Sequence, residues 1–433
     1  MNRPNILLIT CHDLGRHLGC YGWGSVPSPT IDGLAKEGVQ LTNSFCTAPQ
    51  CSPSRAALLT GRHAHSVGVL GLAHSPFNWR LEPEQNPFAQ RMQQIGYATA
   101  LIGAQHVTRY EDLPELGYDH WSGVAPAPEI AHRAADYLTS ATETTPFYLE
   151  VGFEEPHRPY DWGGATPHNA QGVDLPPYIP NAPPAVADFA ALQGAIRVVD
   201  RAVGAILERL AVLGLAENTL VIFTTDHGLA MPRAKCTLYD PGIETALLMR
   251  WPAAGVSGGR RIQPLISHVD VVPTLLQALD VPLPSRLHGR SFWPLLQGRP
   301  FHARDAIFVE KSFHTAYEPM RAMRTDTHKL IVNLESGSRY DVPDDIRRSP
   351  IYPLVVDQSA GERSHVELYD LARDPLERNN LAGYPEVSGV QADLRRRLWQ
   401  WMEDTDDPLR YGPPRSPYFE RSHSWLQSVL DKP

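Results

Sequence analysis

Four short apolar runs, at residues 6–10, 98–102, 147–153 and 220–225, interrupt an otherwise mixed sequence, and turn residues bound each of them. Runs of this length without polar alternation suit strands buried on both faces of a parallel sheet, with helices packed on either side. Residues 190–213 carry Leu192, Ile196, Val199, Val203, Ile206, Leu210 and Leu213 at three- and four-residue spacing. That stripe predicts a helix covering one sheet face. After about residue 300 the pattern shortens and alternates, as in Ala306-Ile307-Phe308-Val309 and His328-Lys329-Leu330-Ile331-Val332, before a helical stretch near 390–401. The expectation is a large α/β domain over residues 1–302 and a smaller α+β subdomain over 303–433, an antiparallel sheet with one helix. The polar, proline-rich segments 159–184 and 340–361 are expected to be long surface loops, a kind that often carries function. No internal repeat is present.

The residues just beyond each apolar run carry the chemistry. Residues 6–10 lead into Cys11-His12-Asp13, and 98–102 into Gly103-Ala104-Gln105-His106. Residues 147–153 lead into Glu154-Glu155-Pro156-His157, and 220–225 into Asp226-His227-Gly228. In open α/β sheets ligands bind at the carboxyl ends of the strands, where the loops converge. Acids and histidines gathered at four such ends mark a candidate site.

Composition narrows the class without naming it. Of 433 residues 42% are hydrophobic and 20% charged, ordinary for a folded protein with a large core. Acids outnumber Lys and Arg by 48 to 39, a net charge of −9, with no basic run to suggest nucleic acid. An anionic substrate would therefore be held by local cations. The five cysteines (Cys11, Cys20, Cys46, Cys51, Cys236) show no CxxC pairing, which argues against a disulfide framework or structural zinc. No stretch approaches the roughly 18 apolar residues of a membrane span, and the first apolar run is too short for a signal sequence. The expected location is cytoplasmic.

Cys51-Ser52-Pro53-Ser54-Arg55-Ala56-Ala57-Leu58-Leu59-Thr60-Gly61-Arg62 reads as a loop residue, a proline at the first helical position and then good helix formers. Cys51 then sits at a helix amino terminus, where free N–H groups favour an anion and would depress a thiol pKa. Taken alone, the segment leaves a reactive cysteine and an inert buried one both open. The whole segment resembles the signature of the type I sulfatases, in which this cysteine is oxidised to Cα-formylglycine by a maturation enzyme. The similarity runs from Asn5 to about Leu381 and closes on Glu367-Leu368-Tyr369-Asp370-Leu371 and Asp374-Pro375-Leu376-Glu377.

The resemblance implies an alkaline phosphatase-like α/β/α sandwich with a mixed, mostly parallel sheet. It implies a hydrolase with one divalent metal ion, Ca, Mn or Zn. Carried over position by position, the metal ligands are Asp13, formylglycine 51, Asp226 and His227, with His12 in place of the first acid of the usual Asp-Asp pair. Imidazole at His12 and His227 suits Mn, Zn or Fe better than calcium. Arg55 would hold the formylglycine hydroxyl, His106 matches the histidine of a Gly-Lys-x-His segment, His157 would protonate the leaving group, and Lys235 would contact sulfate. The lysine of Gly-Lys-x-His is missing, with Ala104 in its place.

Several stretches are closer to the heparan N-sulfatase (sulfamidase) branch: Ile102-Gly103 with His106-Val107, Phe153 with Pro156-His157-Arg158, Tyr178-Ile179-Pro180-Asn181, and Leu238-Tyr239 with Pro241-Gly242. A small sulfated amino sugar is the implied substrate and the maturation enzyme the implied partner, with neither nucleic acid nor membrane expected, and His63, His65, His74 and Trp79 are candidates to line the sugar's pocket. Two alternatives stay open: a phosphonate monoester or phosphodiester hydrolase of the same superfamily, and an inactive sulfated-glycan-binding protein. Oligomeric state is not legible.

Overall fold

The computed structural model describes residues 3–141, 145–335, 341–356 and 363–430. The four apolar runs become strands Asn5–Cys11, Ala98–Gly103, Phe147–Phe153 and Thr219–Thr225, and these lie side by side, all parallel. They form the middle of an eight-stranded sheet. Its order is His120–Ser122, Ala98–Gly103, Phe147–Phe153, Asn5–Cys11, Thr219–Thr225, Leu247–Arg250, Val39–Leu41, Arg260–Ile262. Only Leu247–Arg250 runs against its neighbours on both sides, which makes the sheet mixed but mostly parallel.

Side chains alternate across the sheet, so each central strand feeds two cores. Leu7, Ile9, Leu149, Val151, Val221 and Phe223 face one layer, where helices Ala127–Ser140 and Pro183–Val212 pack. Ile6, Leu8, Leu101, Tyr148, Leu220 and Ile222 face the other, against helices Cys51–Thr60, Phe88–Gln94 and Val271–Ala278. This is the α/β/α sandwich expected. The helix predicted over 190–213 begins earlier, at Pro183. Proline is tolerated in a first turn because its missing N–H has no helical partner there, and buried Ala185 and Phe189 extend the apolar stripe.

Strands Ala306–Phe313, Tyr317–Thr325, His328–Asn333 and Val366–Asp370 form an antiparallel sheet in that order. Its inner face packs Ile307, Val309, Met320, Ala322 and Ile331 on Phe45, Leu238 and Ile243. Its outer face packs Met323, Leu330 and Leu368 on Leu394, Leu398 and Trp401 of helix Ser388–Asp404. A second helix, Pro417–Leu430, was not anticipated; it has no buried residue, and so leaves little patterning that burial would impose. The segment read as loop 340–361 holds short helices Asp344–Arg347 and Tyr352–Val355, while its residues 340 and 357–361 lie outside the described residues. Among the described residues no helix is long and apolar enough to cross a membrane.

Candidate active site

Register brings the strand ends level: Cys11 pairs with Phe153 and with Thr225, and Gly103 pairs with Gly152. The four loops therefore open at one height. Gly103 has φ +98°, and a Cβ there would meet the Gly152 carbonyl oxygen at 2.1 Å, so only glycine lets these two strand ends approach so closely. Beyond the ends, Asp13 (φ 54°) and His106 (φ 55°) both adopt the left-handed region, a local cost that re-aims their side chains.

Cys51 is the first residue of helix Cys51–Thr60 and is buried, with Gln50 as an uncapped extended entry. Pro53 falls at the third helical position rather than the first, still within the turn whose N–H groups lack helical partners. Arg55, one turn on, reaches back. Its Nε donates to Asp226 Oδ2 at 3.3 Å and its Nη1 to Thr10 Oγ1 at 2.9 Å.

The acids and histidines converge on the same point. Cys51 Sγ lies 3.4 Å from His227 Nε2, which lies 3.2 Å from Asp13 Oδ1. His227 Nδ1 stands 3.0 Å from the Gly228 carbonyl, a contact that assigns the proton to Nδ1 and leaves the Nε2 lone pair facing the site. Asp226 Oδ1 accepts from the backbone N–H of Asp13 at 3.1 Å and of His227 at 2.9 Å, while its Oδ2 is 3.0 Å from His12 Nδ1. Donor atoms of Asp13, Cys51 and His227 lie within 4.8 Å of one another, as do those of His12, Asp13 and Asp226. Buried Asp13 Oδ1 has no hydrogen-bond partner. Converging carboxylate and imidazole donors with an unsatisfied buried oxygen fit a divalent ion.

On the substrate side stand Lys235 and His157. Lys235 is buried, and its Nζ donates to Asp13 Oδ2 at 2.8 Å and Asp345 Oδ2 at 2.9 Å, with His157 Nε2 at 3.3 Å. His157 Nδ1 is 2.6 Å from the Arg158 carbonyl, so its Nε2 points inward. His106 Nε2 is 3.6 Å from Glu154 Oε2, and its ring centroid is 4.5 Å from that of His12. A cavity of about 440 Å³ opens beside Lys235, with Tyr178, Arg233, Asp341 and Arg378 in its wall.

Charge is organised accordingly. Burial alone would raise the Asp13 carboxyl, yet Lys235, His157 and His227 hold it well below the ordinary range; Asp226 is held down likewise by His227, His12 and Arg55. Burial opposes charge on Lys235, but Asp13 and Asp345 keep it firmly protonated. Burial, with His12 and Arg55 nearby, pushes His106 well below its usual value, leaving a neutral ring. The expected depression of the Cys51 thiol does not occur. Burial and the Asp226 carboxylate push it well above its ordinary value, outweighing Lys235 and Arg55. Without an ion beside it, an unmodified Cys51 is held as the protonated thiol, a poor nucleophile.

Every predicted site residue (His12, Asp13, Cys51, Arg55, His106, His157, Asp226, His227 and Lys235) reaches this one cluster. The family profile described as Sulfatase matches residues 4–281. The chain belongs to the sulfatase family. A second profile, "N-sulphoglucosamine sulphohydrolase, C-terminal", matches residues 227–352 of this sulfatase. It is 30% identical to human N-sulphoglucosamine sulphohydrolase over 94% of this chain and 91% of the relative. Its fold is that of a 2-O GAG sulfatase (TM-score 0.75, 22% identity, 96% and 95% of the chains covered). It is also that of a protein solved with its substrate D-glucosamine-2-N,6-O-disulfate (TM-score 0.71, 20% identity, 94% and 99% covered).

Two further residues of this sulfatase's site went unassigned from sequence. Asp345 arrives on the 341–356 segment, next to Asp344, and its only signal was a long polar loop. Glu154 was visible at a strand end but had no role. Conversely, His63 and His65 do not line a pocket: His63 stacks on His288, and His65 Nδ1 bonds Glu310 Oε2 at 2.8 Å beneath Trp401. Trp79 packs on Phe313, while His74 does approach His106, with ring centroids 6.5 Å apart.

Proposed function

We propose that this enzyme hydrolyses a sulfamate or sulfate ester of a sulfated amino sugar, with residue 51 converted to formylglycine as its nucleophile. The observation that carries the reading is the setting of Cys51: a buried residue at a helix start, ringed by Asp13, Asp226 and His227 and faced by Arg55 and Lys235. A thiol offers one nucleophilic atom here, whereas a hydrated aldehyde at the same place would offer two hydroxyls. Such a group would supply one hydroxyl to displace the leaving group from sulfur and a second whose proton loss would release sulfate and return the aldehyde.

His12, Asp13, Asp226, His227 and residue 51 would hold the divalent ion, whose Lewis acidity would polarise the hydroxyl and sulfuryl oxygens. Arg55 and Lys235 offset the charge on the sulfuryl oxygens in the transition state. His157, with Nε2 directed inward, gives its proton to the departing nitrogen or oxygen. The sugar would occupy the cavity beside Lys235. The relationship to human N-sulphoglucosamine sulphohydrolase supports N-sulfated glucosamine as the first substrate to test.

The test is a matched panel of N-sulfated glucosamine, an O-sulfated sugar and a phosphonate monoester, given to protein matured with a formylglycine-generating enzyme. The sulfated sugars should turn over, and Cys51→Ala should abolish turnover while melting as the parent does. Preference for the phosphonate would transfer the same site to phosphonate hydrolysis, and binding of all without turnover would leave only a glycan-binding protein.

A further inference from the structure

We propose that Asp188 is a positioning residue for the proton donor His157 and acts on it through Arg158. This role rests on the sulfatase reading, in which His157 is the acid. Asp188 stands on helix Pro183–Val212 among Ala185, Phe189 and Leu192, a buried stripe in which an unpaired carboxylate would be costly. Arg158, the residue that follows the acid, supplies the partner. Its Nη1 donates to Asp188 Oδ1 at 2.7 Å and its Nη2 to Asp188 Oδ2, a two-pronged pair of the strong, directional kind. Among the described residues the Asp188 carboxylate bonds to Arg158 alone.

The rest of the guanidinium is committed as well. Its Nε donates to the Ala230 carbonyl at 3.3 Å, and its central carbon lies 4.4 Å from the Tyr160 ring centroid. Arg158 is thereby fixed to the helix on one side and to the loop between His227 and Lys235 on another. In that loop the Lys235 N–H donates to the Leu229 carbonyl at 3.0 Å, next to Ala230, so one arginine ties the acid's segment to the segment of the anion-holding cation. A lysine could pair with Asp188, but its single ammonium group could not make the fork, the carbonyl contact and the stacking together.

Holding the Arg158 side chain restrains its backbone, and the Arg158 carbonyl is what His157 Nδ1 donates to, at 2.6 Å. The consequence is chemical. Anchored at Nδ1, the ring keeps Nε2 turned inward, 3.3 Å from Lys235 Nζ and 3.5 Å from Asp13 Oδ2. When the Nε2 proton passes to the departing nitrogen or oxygen, the neutral ring left behind carries its proton on Nδ1, the tautomer that the carbonyl selects. Without that anchor the ring is free to turn, and Nε2 loses its fixed direction toward the leaving group.

The experiment compares matured Asp188→Asn and Arg158→Lys, alone and in a His157→Ala background, over a leaving-group series from 4-nitrophenyl sulfate to N-sulfated glucosamine. On N-sulfated glucosamine kcat should fall by about 10- to 100-fold, the loss expected when a reacting group is displaced by about an ångström, while KM moves little. The loss should shrink toward the nitrophenyl ester, whose departure needs little protonation. In the His157→Ala background neither substitution should add to the loss, because the residues act as a unit. Equal losses across the series, or losses that add to that of His157→Ala, would make Asp188 a structural residue and overturn the proposal. Thermal unfolding of each variant guards against misfolding. Crystals of whichever variant folds show whether the His157 ring has left the Arg158 carbonyl, and a ring that has not moved would also overturn the proposal. That structure tests the anchoring even where wild type hydrolyses no ester, a result that would remove the sulfatase reading alone.

Discussion

Lys235 has two carboxylate partners, and only Asp13 belongs to the ion position; Asp345 comes from the carboxyl-terminal half of the chain and competes for the same ammonium group. A bound sulfate would have to share Lys235 with this carboxylate. Like charges about 6 Å apart repel by roughly 3 kcal/mol at an effective dielectric near 20, before screening. Asp345→Asn should therefore strengthen inhibition by inorganic sulfate about tenfold, a shift of about 1.4 kcal/mol. A weakened inhibition would mean that Asp345 instead receives part of the substrate. This residue was not legible in the sequence, because three acids, Asp341, Asp344 and Asp345, stand together in a proline-rich stretch and nothing in their spacing says which one turns toward Lys235. Asp13, Asp226 and His227 were legible because each follows a buried strand immediately, so chain position alone placed them on one edge.

At the level of elements, the closeness of two strand ends sets the site's width. A Cβ on Gly152 would meet the Ala104 carbonyl oxygen at 1.8 Å, and Ala104 leads two residues later to His106. Relief requires the backbone after strand Ala98–Gly103 to move. Gly152→Ala should cost about 1–3 kcal/mol of stability, as overpacking commonly does, and should lower turnover as well, because His106 moves with its segment. Urea unfolding and steady-state kinetics on one preparation check both, and a stability loss with unchanged turnover would detach this turn from the site. The strands themselves were readable as unbroken apolar runs, the mark of burial on two faces. Helix Pro183–Val212 was readable only from its strongly apolar part, since its first turns carry proline and alanine and give little stripe. The thiol of Cys51 was misjudged for a related reason: a helix start is visible in sequence, while its complete burial beside Asp226 is a tertiary fact.

Across the whole molecule, buried neutral histidines tie stability to pH. His17 lies between Trp23 and Phe189, with ring centroids 4.5 Å and 5.5 Å away, and neither ring nitrogen has a hydrogen-bond partner. Burial lowers its pKa to about 3, with Asp174 offsetting only part of the effect. In the unfolded chain a histidine titrates near about 6.5. Below that value the unfolded state binds a proton that the folded state refuses. The stability His17 contributes is therefore fully present above about pH 6.5 and is lost as pH falls toward 3, at about 1.4 kcal/mol per pH unit. His268, lowered to about 3 by burial, adds to the slope in the same sense. Unfolding midpoints between about pH 7 and pH 5 should show this decline, and His17→Phe should reduce the slope by about one proton. An unchanged slope would place the acid sensitivity elsewhere.

The same view of the whole molecule bears on its chemistry, because sandwich, strand ends and subdomain all converge on residue 51. The most direct measurement plots the rate of sulfate release from N-sulfated glucosamine against the fraction of residue 51 present as formylglycine, read by peptide mass spectrometry across preparations matured to different extents. The account predicts a straight line through the origin. Sulfate release from fully unmodified protein, or none at complete conversion from any sulfated sugar, would contradict it.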